Sequence, residues 1–304
     1  MQGVILAAGK GSRLNPITLA RTKAMVPILG KPIVERVMET LVQNGVREII
    51  MVVSREDGEV STYFRERSKL DIEVQFVVQA ERLGMANALS LAAAYIHAPF
   101  ILSACDNLTP PAHVAELLAA FRSNNANAAL SLMEIEPSLA SRTGIVEMQD
   151  GQIRRIVEKP VPGEAPSNIA SLPLYVFSPR LLAYLPQIKR SPRGEYELQD
   201  AIQMMIEQEG NVIGVLTQSR LQLTNANDLL ALNRHYLTTG GDTPQLAPRS
   251  VGQHTHLITP LRIEEGTTIG PGCVIGPRVY IERNCKIGAD VLIKDAVILR
   301  NSVI

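Results

Sequence analysis

The chain has 304 residues, of which 46% are hydrophobic, and its 30 basic side chains are balanced by 30 acidic ones. With no tryptophan and no basic patch interleaved with aromatic residues, this composition argues against nucleic acid as a partner. No run approaches 18 consecutive apolar residues, which argues against a membrane partner. The length and composition predict a globular protein with room for two structural units.

The N-terminus and the cysteines indicate the compartment. The chain starts almost directly in a buried strand, without the features of a signal peptide, so we expect a cytoplasmic protein. Its cysteines form an odd set with no CxxC spacing, which favours small buried hydrophobic side chains over disulfides or a zinc site. They are Cys105, Cys273 and Cys285.

Short aliphatic runs alternate with helical patterns from residue 3 to about 220, as is typical of an α/β protein. We predict a Rossmann-like fold with a mixed, mostly parallel sheet and helices on both faces. A first helix should begin at Pro32 and be stopped by Gly45. Further helices are predicted over residues 84–97 and 112–124. Strands are predicted over residues 3–7, 47–53, 73–78, 99–103 and 127–133.

After residue 143 the pattern changes to a β-hairpin with Asp150-Gly151 as its turn, and we expect this antiparallel pair to be inserted in the sheet. Two more helices are predicted over residues 198–208 and 225–236. Residues 238–248 are rich in glycine, proline and threonine, as linkers are. We therefore predict two domains, residues 1–245 and residues 246–304.

The C-terminal segment repeats every six residues. Nine consecutive aliphatic hits would arise by chance on the order of once in a thousand trials in one register. This pattern is typical of a parallel β-helix made of hexapeptide repeats, here with about three coils. Because a short stack leaves unpaired edges, we expect a homo-oligomer formed through this unit. The repeat positions are Val251, Leu257, Ile263, Ile269, Ile275, Ile281, Ile287, Ile293 and Leu299.

A glycine-containing loop follows the first predicted strand, where residues 6–14 read Leu-Ala-Ala-Gly-Lys-Gly-Ser-Arg-Leu. Gly9 and Gly11 allow backbone N–H groups to turn toward an anion, and Arg13 and Lys23 bring positive charge. The loop fits neither a dinucleotide fingerprint, whose third glycine is replaced by Leu14, nor a Walker loop. We expect it to hold a polyphosphate.

The string resembles the signature of the sugar nucleotidyltransferases: Leu-Ala-Ala-Gly-x-Gly-Ser/Thr-Arg-Leu/Met, then Pro-x-Thr, then a lysine. Pro16, Thr18 and Lys23 match the later positions, and Thr22 stands where the family usually has proline. The resemblance implies an enzyme that transfers a nucleotidyl group from a nucleoside triphosphate to a sugar 1-phosphate and releases pyrophosphate. It implies Arg13 and Lys23 as catalytic residues. The nucleotide-binding residues that it implies in the loop are Leu6, Ala7, Ala8, Gly9, Gly11 and Ser12.

Nucleotidyl transfer requires backbone donors, cationic side chains and a Mg²⁺ held by a carboxylate, because catalysis is mostly positioning and neutralisation of charge. The predicted strand over residues 99–103 leads to Asp106, and the resemblance implies Asp106 as the Mg²⁺ ligand. An Asx turn at the strand end is the structural alternative. The resemblance also implies that the hexapeptide repeat winds into a left-handed parallel β-helix.

Residues 79–89 resemble the family's Gln-x-x-x-Leu-Gly-Thr-x-x-Ala segment, in which the glutamine side chain and the glycine backbone bind the nucleobase. Gln79 and Gly84 occupy those positions here. A side-chain amide offers both a donor and an acceptor, which suits uracil or thymine, so UTP or dTTP is the expected nucleotide. Without the resemblance, Gln79 would be an ordinary residue at a strand end.

Four residues resemble the family's sugar-side motifs: Gly144, Glu158, Lys159 and Asn168. By resemblance, Glu158 accepts hydrogen bonds from sugar hydroxyls, Lys159 pairs with the sugar phosphate and Asn168 binds the ring substituents. The structural alternative for Glu158 and Lys159 is a solvated surface ion pair, which would contribute little.

The chain departs from the family pattern on the sugar side and at the metal. Leu172-Pro173 replaces a small Thr/Ala-Gly pair, which predicts an altered sugar subsite. A second acidic metal ligand is expected near the last strand, where this chain has Gln218 and Gln222. Nearby Asn225 and Asp228 are alternatives, although both resemble the start of a helix.

These departures keep two other functions open. One is a regulatory subunit that binds a nucleotide sugar with weak or no turnover. The other is an acetyltransferase activity in the β-helix, which His254 and His256 would have to serve without an evident partner base.

Overall fold

A computed structural model describes residues 1–239 and 246–304. The chain divides into two compact units. The first unit comprises Met1–Gly11, Ala20–Met25 and Val34–Leu221, and the second unit comprises Ser12–Leu19, Val26–Ile33 and Gln222–Ile304. The domain boundary predicted at residue 245 lies outside the described residues and stays a prediction.

The first unit is built on a nine-stranded sheet of buried, aliphatic strands. Val4 and Ile5 at its centre are fully buried, which explains why the first predicted strand forms as expected. The strands are, in chain order, β1 Gln2–Leu6, β2 Glu48–Ser54, β3 Glu73–Gln79, β4 Phe100–Ala104, β5 Ala128–Glu134, β6 Gly144–Gln149, β7 Gln152–Glu158, β8 Ile169–Phe177 and β9 Val212–Leu216.

The strand order in this sheet is β3-β2-β1-β4-β8-β5-β9-β7-β6. Strands β1 to β4 pair in parallel with one another, and β9 pairs in parallel with β5. Strand β8 is antiparallel to β4, β5 and β6, and β7 is antiparallel to β6 and β9. The sheet is mixed, as predicted, but parallel pairing predominates only in the half that β1 to β4 form, because β8 and the hairpin reverse direction.

Six α-helices accompany the sheets in the described residues: α1 Ile33–Gln43, α2 Gly58–Glu66, α3 Met85–Ala92, α4 Pro111–Ser123, α5 Leu198–Gln208 and α6 Ala226–Thr239. The predicted helix over residues 84–97 is shorter than expected, since it ends at Ala92 and continues as the 3₁₀ turn Ala93–Tyr95. Sequence analysis missed α2, because Val60 is its buried side chain and one apolar anchor gives no helical periodicity.

The remaining short elements lie in the connections. The hairpin turn behaves as predicted, with Asp150 at φ 51° and Gly151 at φ 76°. Two-residue strands are Pro27–Ile28, Lys31–Pro32, Asn107–Leu108 and Leu221–Gln222. The other 3₁₀ turns are Ser12–Leu14, Ile17–Leu19, Lys23–Met25, Pro137–Arg142, Pro179–Ala183 and Leu185–Gln187.

The C-terminal segment of the second unit contains α6 and nine short strands: β10 Ser250–Val251, β11 His256–Leu257, β12 Leu261–Ile263, β13 Thr268–Ile269, β14 Val274–Ile275, β15 Val279–Ile281, β16 Lys286–Ile287, β17 Leu292–Ile293 and β18 Ala296–Ile298. They form three parallel three-stranded sheets, β10-β13-β16, β11-β14-β17 and β12-β15-β18. Val251 pairs with Ile269 and Ile269 with Ile287, which is the spacing that three hexads predict.

The last repeat position departs from the pattern. Ile281 pairs with Ile298 and not with the predicted Leu299, so the final turn of chain is one residue shorter. Cys273 and Cys285 are free thiols that are fully buried in the apolar core of this unit, and Cys105 is buried in the first unit. The cysteines therefore pack as small hydrophobic side chains, as predicted.

Among residues 1–239 and 246–304, no helix combines the length and the apolar character that a membrane crossing would require.

Candidate functional site

A cavity of about 400 Å³ opens at the carboxyl ends of the parallel strands, and we call it the strand-edge cavity. Strand β1 lies between β2 and β4, so the side on which later strands are added to the sheet changes at β1. In open α/β sheets ligands bind at such a switch point. The predicted residues that line this cavity are Leu6, Ala8, Gly9, Lys23, Gln79, Gly84 and Asp106.

The other loop residues support the cavity or lie in the second unit. Ala7 is buried, and its N–H donates to the carbonyl of Val52 at 2.8 Å, which prolongs β1 beside β2. Gly11 adopts φ 64°, a conformation that favours glycine. Ser12 and Arg13 begin a 3₁₀ turn of the second unit, in which both are exposed.

Gly9 and Gly84 are glycines for different reasons. Within the described part of the chain, no heavy atom lies within 4 Å of the position that a Cβ would take at Gly9. Gly84 has φ 99°, and a Cβ there would lie 2.6 Å from the carbonyl oxygen of Tyr196. Packing therefore requires glycine at position 84, whereas at position 9 the space that glycine leaves is available to a ligand.

Lys23 and Asp106 form an ion pair at the cavity floor. The Lys23 ammonium donates to Oδ2 of Asp106, and both side chains are largely buried. The N–H of Cys105 donates to the carbonyl of Leu6 at 3.2 Å, which continues the pairing of β4 with β1 up to Asp106. Burial raises the pKa of the Cys105 thiol to about 12, so it stays neutral.

Gln79 ends β3 with its side-chain amide held in place. It is 4% exposed, and its Nε2 donates to the carbonyl of Gly84 at 3.2 Å and to Oδ1 of Asn87 at 2.9 Å. These bonds orient the amide so that its oxygen is the group left for a ligand donor.

Arg82 is a cavity residue that sequence analysis did not identify. Its Nε donates to the carbonyl of Ala8 at 2.9 Å, and its Nη2 lies 3.1 Å from Oε2 of Glu56. This bond fixes the Ala8 carbonyl at the start of the glycine loop. It occupies a variable position of the family segment, so no motif could have revealed it.

The segment that should supply a second metal ligand brings a cation instead. Arg220 is largely buried, and its Nε donates to Oδ1 of Asn107 at 2.9 Å, next to Asp106. Burial lowers the pKa of Arg220, and the charge of Asp106 opposes that shift. The signal that could have indicated this arrangement is the lack of an acidic residue in residues 215–223.

The alternatives Asn225 and Asp228 start a helix, as their pattern suggested. Oδ1 of Asn225 accepts from the N–H groups of Asn227 and Asp228 at 2.9 and 3.2 Å. Oδ2 of Asp228 accepts from the N–H groups of Thr224 and Asn225 at 2.6 and 2.9 Å. Both side chains are therefore occupied with capping α6.

A second cavity, of about 550 Å³, lies beside the end of β7, and we call it the hairpin cavity. Glu158 and Lys159 both line it, with Nζ of Lys159 3.5 Å from Oε1 of Glu158. Burial raises the pKa of Glu158, and Lys159 opposes that shift. Lys159 adopts φ 45°, which is unusual for a side chain other than glycine and often marks a functional site.

Gly144 and Arg193 complete the surroundings of Glu158. A Cβ at Gly144 would lie 3.1 Å from Oε2 of Glu158, so glycine makes room for the carboxylate. Nη2 of Arg193 lies 3.6 Å from Oε1 of Glu158 and 2.7 Å from Oε1 of Glu197. Sequence analysis missed Arg193 and Glu197, although charges cluster in residues 189–197.

Two sugar-side positions lie outside the lining of the hairpin cavity. Asn168 is exposed and lines a different cavity, together with Pro137 and Val161. Leu172 is buried in β8, where the pairing with β5 shifts register between Ser171 and Tyr175. Pro173 lacks an N–H for the ladder, which accounts for the irregularity.

The donor set at Asp106 is compatible with Mg²⁺. In the described residues no three histidine, cysteine, aspartate or glutamate side chains cluster as a metal site would require. Mg²⁺, however, commonly takes one or two protein carboxylates and completes its shell with phosphates and water. A carboxylate at the strand-edge cavity fits that pattern.

Comparison with known proteins identifies the family. Residues 2–239 match the family described as Nucleotidyl transferase. The chain belongs to this family. Residues 257–304 match the GMPPB C-terminal domain. The nucleotidyltransferase match covers both cavities.

Curated relatives and a solved structure agree with the family. Low-salt glycan biosynthesis nucleotidyltransferase Agl11 of Haloferax volcanii is 34% identical over 210 residues, 68% of this chain but 57% of Agl11, so the chain spans little more than half of that relative. UTP–glucose-1-phosphate uridylyltransferase AglF of the same organism is 33% identical over 207 residues, 68% of this chain and 84% of AglF. A UDP-glucose pyrophosphorylase complexed with UDP-glucose has a TM-score of 0.71 at 21% identity, covering 79% of this chain and 99% of that one, and shows the shared fold.

Proposed function

We propose that this nucleotidyltransferase joins a nucleoside triphosphate, UTP or dTTP, to a sugar 1-phosphate and releases pyrophosphate. The observation that carries the proposal is the convergence of the glycine loop, the Lys23–Asp106 pair and the Gln79 amide in the strand-edge cavity. The reaction forms a bond from a sugar phosphate oxygen to the α-phosphorus and breaks the bond to the bridging oxygen of the leaving pyrophosphate.

The loop and its cations would bind and orient the triphosphate. Backbone N–H groups after Ala8 would donate to the phosphates, and the bond from Arg82 to the Ala8 carbonyl, which fixes the start of the loop, supports this role. Lys23 and Arg13 would neutralise the charge that builds up on the phosphate oxygens in the transition state. Asp106 would hold Mg²⁺, which supplies further neutralisation of the phosphates when bound.

Gln79 supports a pyrimidine. Its amide nitrogen is already engaged by Gly84 and Asn87, which leaves the amide oxygen to accept from the imide N–H of uracil or thymine. AglF, which is named for UTP, favours the same nucleotide. Between UTP and dTTP, the side chains described here offer no discriminating contact.

The hairpin cavity would hold the sugar 1-phosphate. Glu158 is an acceptor for hydroxyls, and Lys159 and Arg193 bring the cations that a phosphate requires. Asn168 keeps its predicted sugar-binding role as a hypothesis, since it lies at another cavity in this structure. Leu172-Pro173 stays a candidate for an altered sugar preference.

Pyrophosphate release tests the proposal directly. Purified chain with Mg²⁺ is assayed against UTP, dTTP, GTP and CTP, each with a panel of hexose 1-phosphates. Release with UTP or dTTP is expected, and release with no pair contradicts the proposal.

Arg13→Ala separates an enzyme from a regulatory binder, because an enzyme should lose roughly a hundredfold in kcat whereas a binder loses affinity alone. Arg154→Ala, an exposed arginine on β7, is the matched control.

We also propose that the three small sheets of the second unit wind as a left-handed parallel β-helix that assembles a homo-oligomer. Their 18-residue pairing supports the helix, and the outer edge of β17, which pairs with no further strand among the described residues, supports the assembly. Light scattering should give a multiple of the chain mass, and a monomer at working concentration would contradict the assembly.

The acetyltransferase alternative requires acetyl-coenzyme A binding, which calorimetric titration tests. The cytoplasmic location stays a prediction.

A further inference from the structure

Asp57 is a buried acid that the proposed mechanism does not use. Its side chain is 3% exposed, and neither carboxylate oxygen has a hydrogen-bond partner among the residues that the structure describes. A buried carboxylate without partners is costly, and native proteins keep such groups when function requires them.

The position of Asp57 before α2 does not explain it. Aspartate at a helix N-cap ordinarily accepts from the first free N–H groups of the helix. In the described chain the Asp57 side chain makes no such bond, although its main chain starts the helix, with its carbonyl accepting from the N–H of Val60 at 3.2 Å. The carboxylate is therefore turned away from its own helix and into the interior.

The groups around the Asp57 carboxylate belong to the segments that carry the strand-edge cavity. Thr22, the residue before Lys23, lowers its pKa, and the Thr22 hydroxyl is likewise buried without a partner in hydrogen-bonding geometry in the described chain. Arg82, which holds the Ala8 carbonyl, also lowers the pKa. The Asp57 charge raises the pKa of Cys105, beside Asp106.

Helix α2, which follows Asp57, also packs against the 3₁₀ turn Lys23–Met25. Residue 22 is a threonine, so a hydroxyl stands directly before Lys23 in the chain.

We propose that Asp57 is a positioning residue for the strand-edge cavity: its ionised carboxylate accepts from the Thr22 hydroxyl and so holds Lys23 in place for the phosphates. This inference rests on the proposed function. The carboxylate acts through Thr22 and Arg82 and does not contact substrate. Its ionised form is costly in the dry interior, so the protein trades stability for the arrangement of the site.

The charge balance predicts a pH dependence. Burial raises the pKa of Asp57 to about 6, and the charges of Glu59 and Glu56 act in the same direction. Thr22 and Arg82 act in the opposite direction and lower this pKa. The folded chain therefore binds a proton more tightly than the unfolded chain, and stability is lost as pH rises from about 4 to 6. Activity should change in the opposite direction and rise as Asp57 ionises.

Asp57→Asn tests the inference, with Asp71→Asn as the control at an exposed position. The Asp57 variant should melt roughly 5 °C higher at pH 7.5 and no higher at pH 4, because asparagine avoids the burial of charge. At pH 7.5 its kcat should fall roughly tenfold with an unchanged KM for sugar phosphate, and the rise in kcat through pH 6 should disappear. A variant with the wild-type kcat and pH profile, or one that melts lower, overturns the inference.

Two further measurements keep the inference separate from the proposed function. Thr22→Val should reproduce the loss of kcat and Thr22→Ser should not, because serine keeps the hydroxyl. Equal loss in both variants overturns the role of that hydroxyl.

If the wild type releases no pyrophosphate, the proposed function fails, and the inference about Asp57 is then tested by measuring UTP binding. Removing a carboxylate near an anion site strengthens anion binding through space. Weaker UTP binding by Asp57→Asn would therefore show lost positioning, and equal or tighter binding would contradict it.

Discussion

The strand-edge cavity and the hairpin cavity are built from different parts of the chain. At the strand-edge cavity, the carboxyl ends of β1 and β4 set the geometry, and Gly9 leaves space that no heavy atom of the described residues fills. At the hairpin cavity, the geometry depends on charged side chains, with Glu158 between Lys159 and Arg193. One site is defined by backbone and the other by balanced charge.

The difference has consequences for substitution. Where the backbone of a loop faces the ligand, added volume should weaken binding, because a Cβ enters the space of the ligand, whereas the loss of a charge that acts on the phosphates should lower turnover. A site made from paired charges tolerates volume but not the loss of a partner, since the remaining buried charge is uncompensated. Four substitutions, taken from the largest expected effect to the smallest, test that contrast.

Asp106→Asn should have the largest effect, because it removes the carboxylate at the end of β4 without changing its shape. We expect kcat to fall roughly a hundredfold or more, with the melting temperature close to that of the wild type. Pyrophosphate release at increasing Mg²⁺ measures the loss. Asp71→Asn serves as the charge control. Wild-type turnover in Asp106→Asn would place the chemistry elsewhere.

Glu158→Gln should affect the hairpin cavity alone. A lost hydrogen bond to a charged group corresponds to a rise of roughly tenfold or more in the KM for sugar 1-phosphate, with the KM for the triphosphate unchanged. Since burial raises the pKa of Glu158, the wild type should lose sugar affinity on acidification earlier than an ordinary glutamate would, and the variant should not. Initial rates at several pH values measure both effects. Equal changes in both KM values would remove the distinction between the cavities.

Gly9→Ala should raise the KM for the triphosphate roughly tenfold and leave stability unchanged, because the new Cβ should meet the ligand and has no heavy atom of residues 1–239 or 246–304 within 4 Å. Gly84→Ala is its counterpart, since a positive φ and the nearby Tyr196 carbonyl should cost about 1–3 kcal/mol of stability. Thermal melts with initial rates separate the two. A lower melting temperature in Gly9→Ala would mean that folding, and not ligand, requires glycine there.

Lys10→Ala should have the smallest effect. Lys10 is an exposed cation at the rim of the strand-edge cavity, so it contributes long-range attraction to the triphosphate. We expect roughly a twofold to threefold rise in KM at low salt that disappears at high ionic strength. A salt-independent change would indicate direct contact with the ligand.

Much of the fold follows from local pattern. The strands around Val4 and Phe100 were predicted within one residue, and the six-residue repeat anticipated the 18-residue pairing of the second unit. Helix α2 was missed because Val60 alone faces inward, and Leu299 was misplaced because the last pairing shortens by one residue. Both errors arise where packing, and not periodicity, decides the structure.

The candidate site divides in the same way. The sequence by itself indicated the family, predicted a polyphosphate loop and placed the charged pair Glu158-Lys159 at a strand end, because glycine spacing and strand-end acids are local signals. Tertiary structure alone decided that Asn168 and Glu158 line different cavities, that Arg220 reaches Asn107, and that Asp57 is buried near Thr22 with no hydrogen-bond partner among the described residues. These relations join residues distant in the chain, and burial sets their charge states, so no local pattern could encode them.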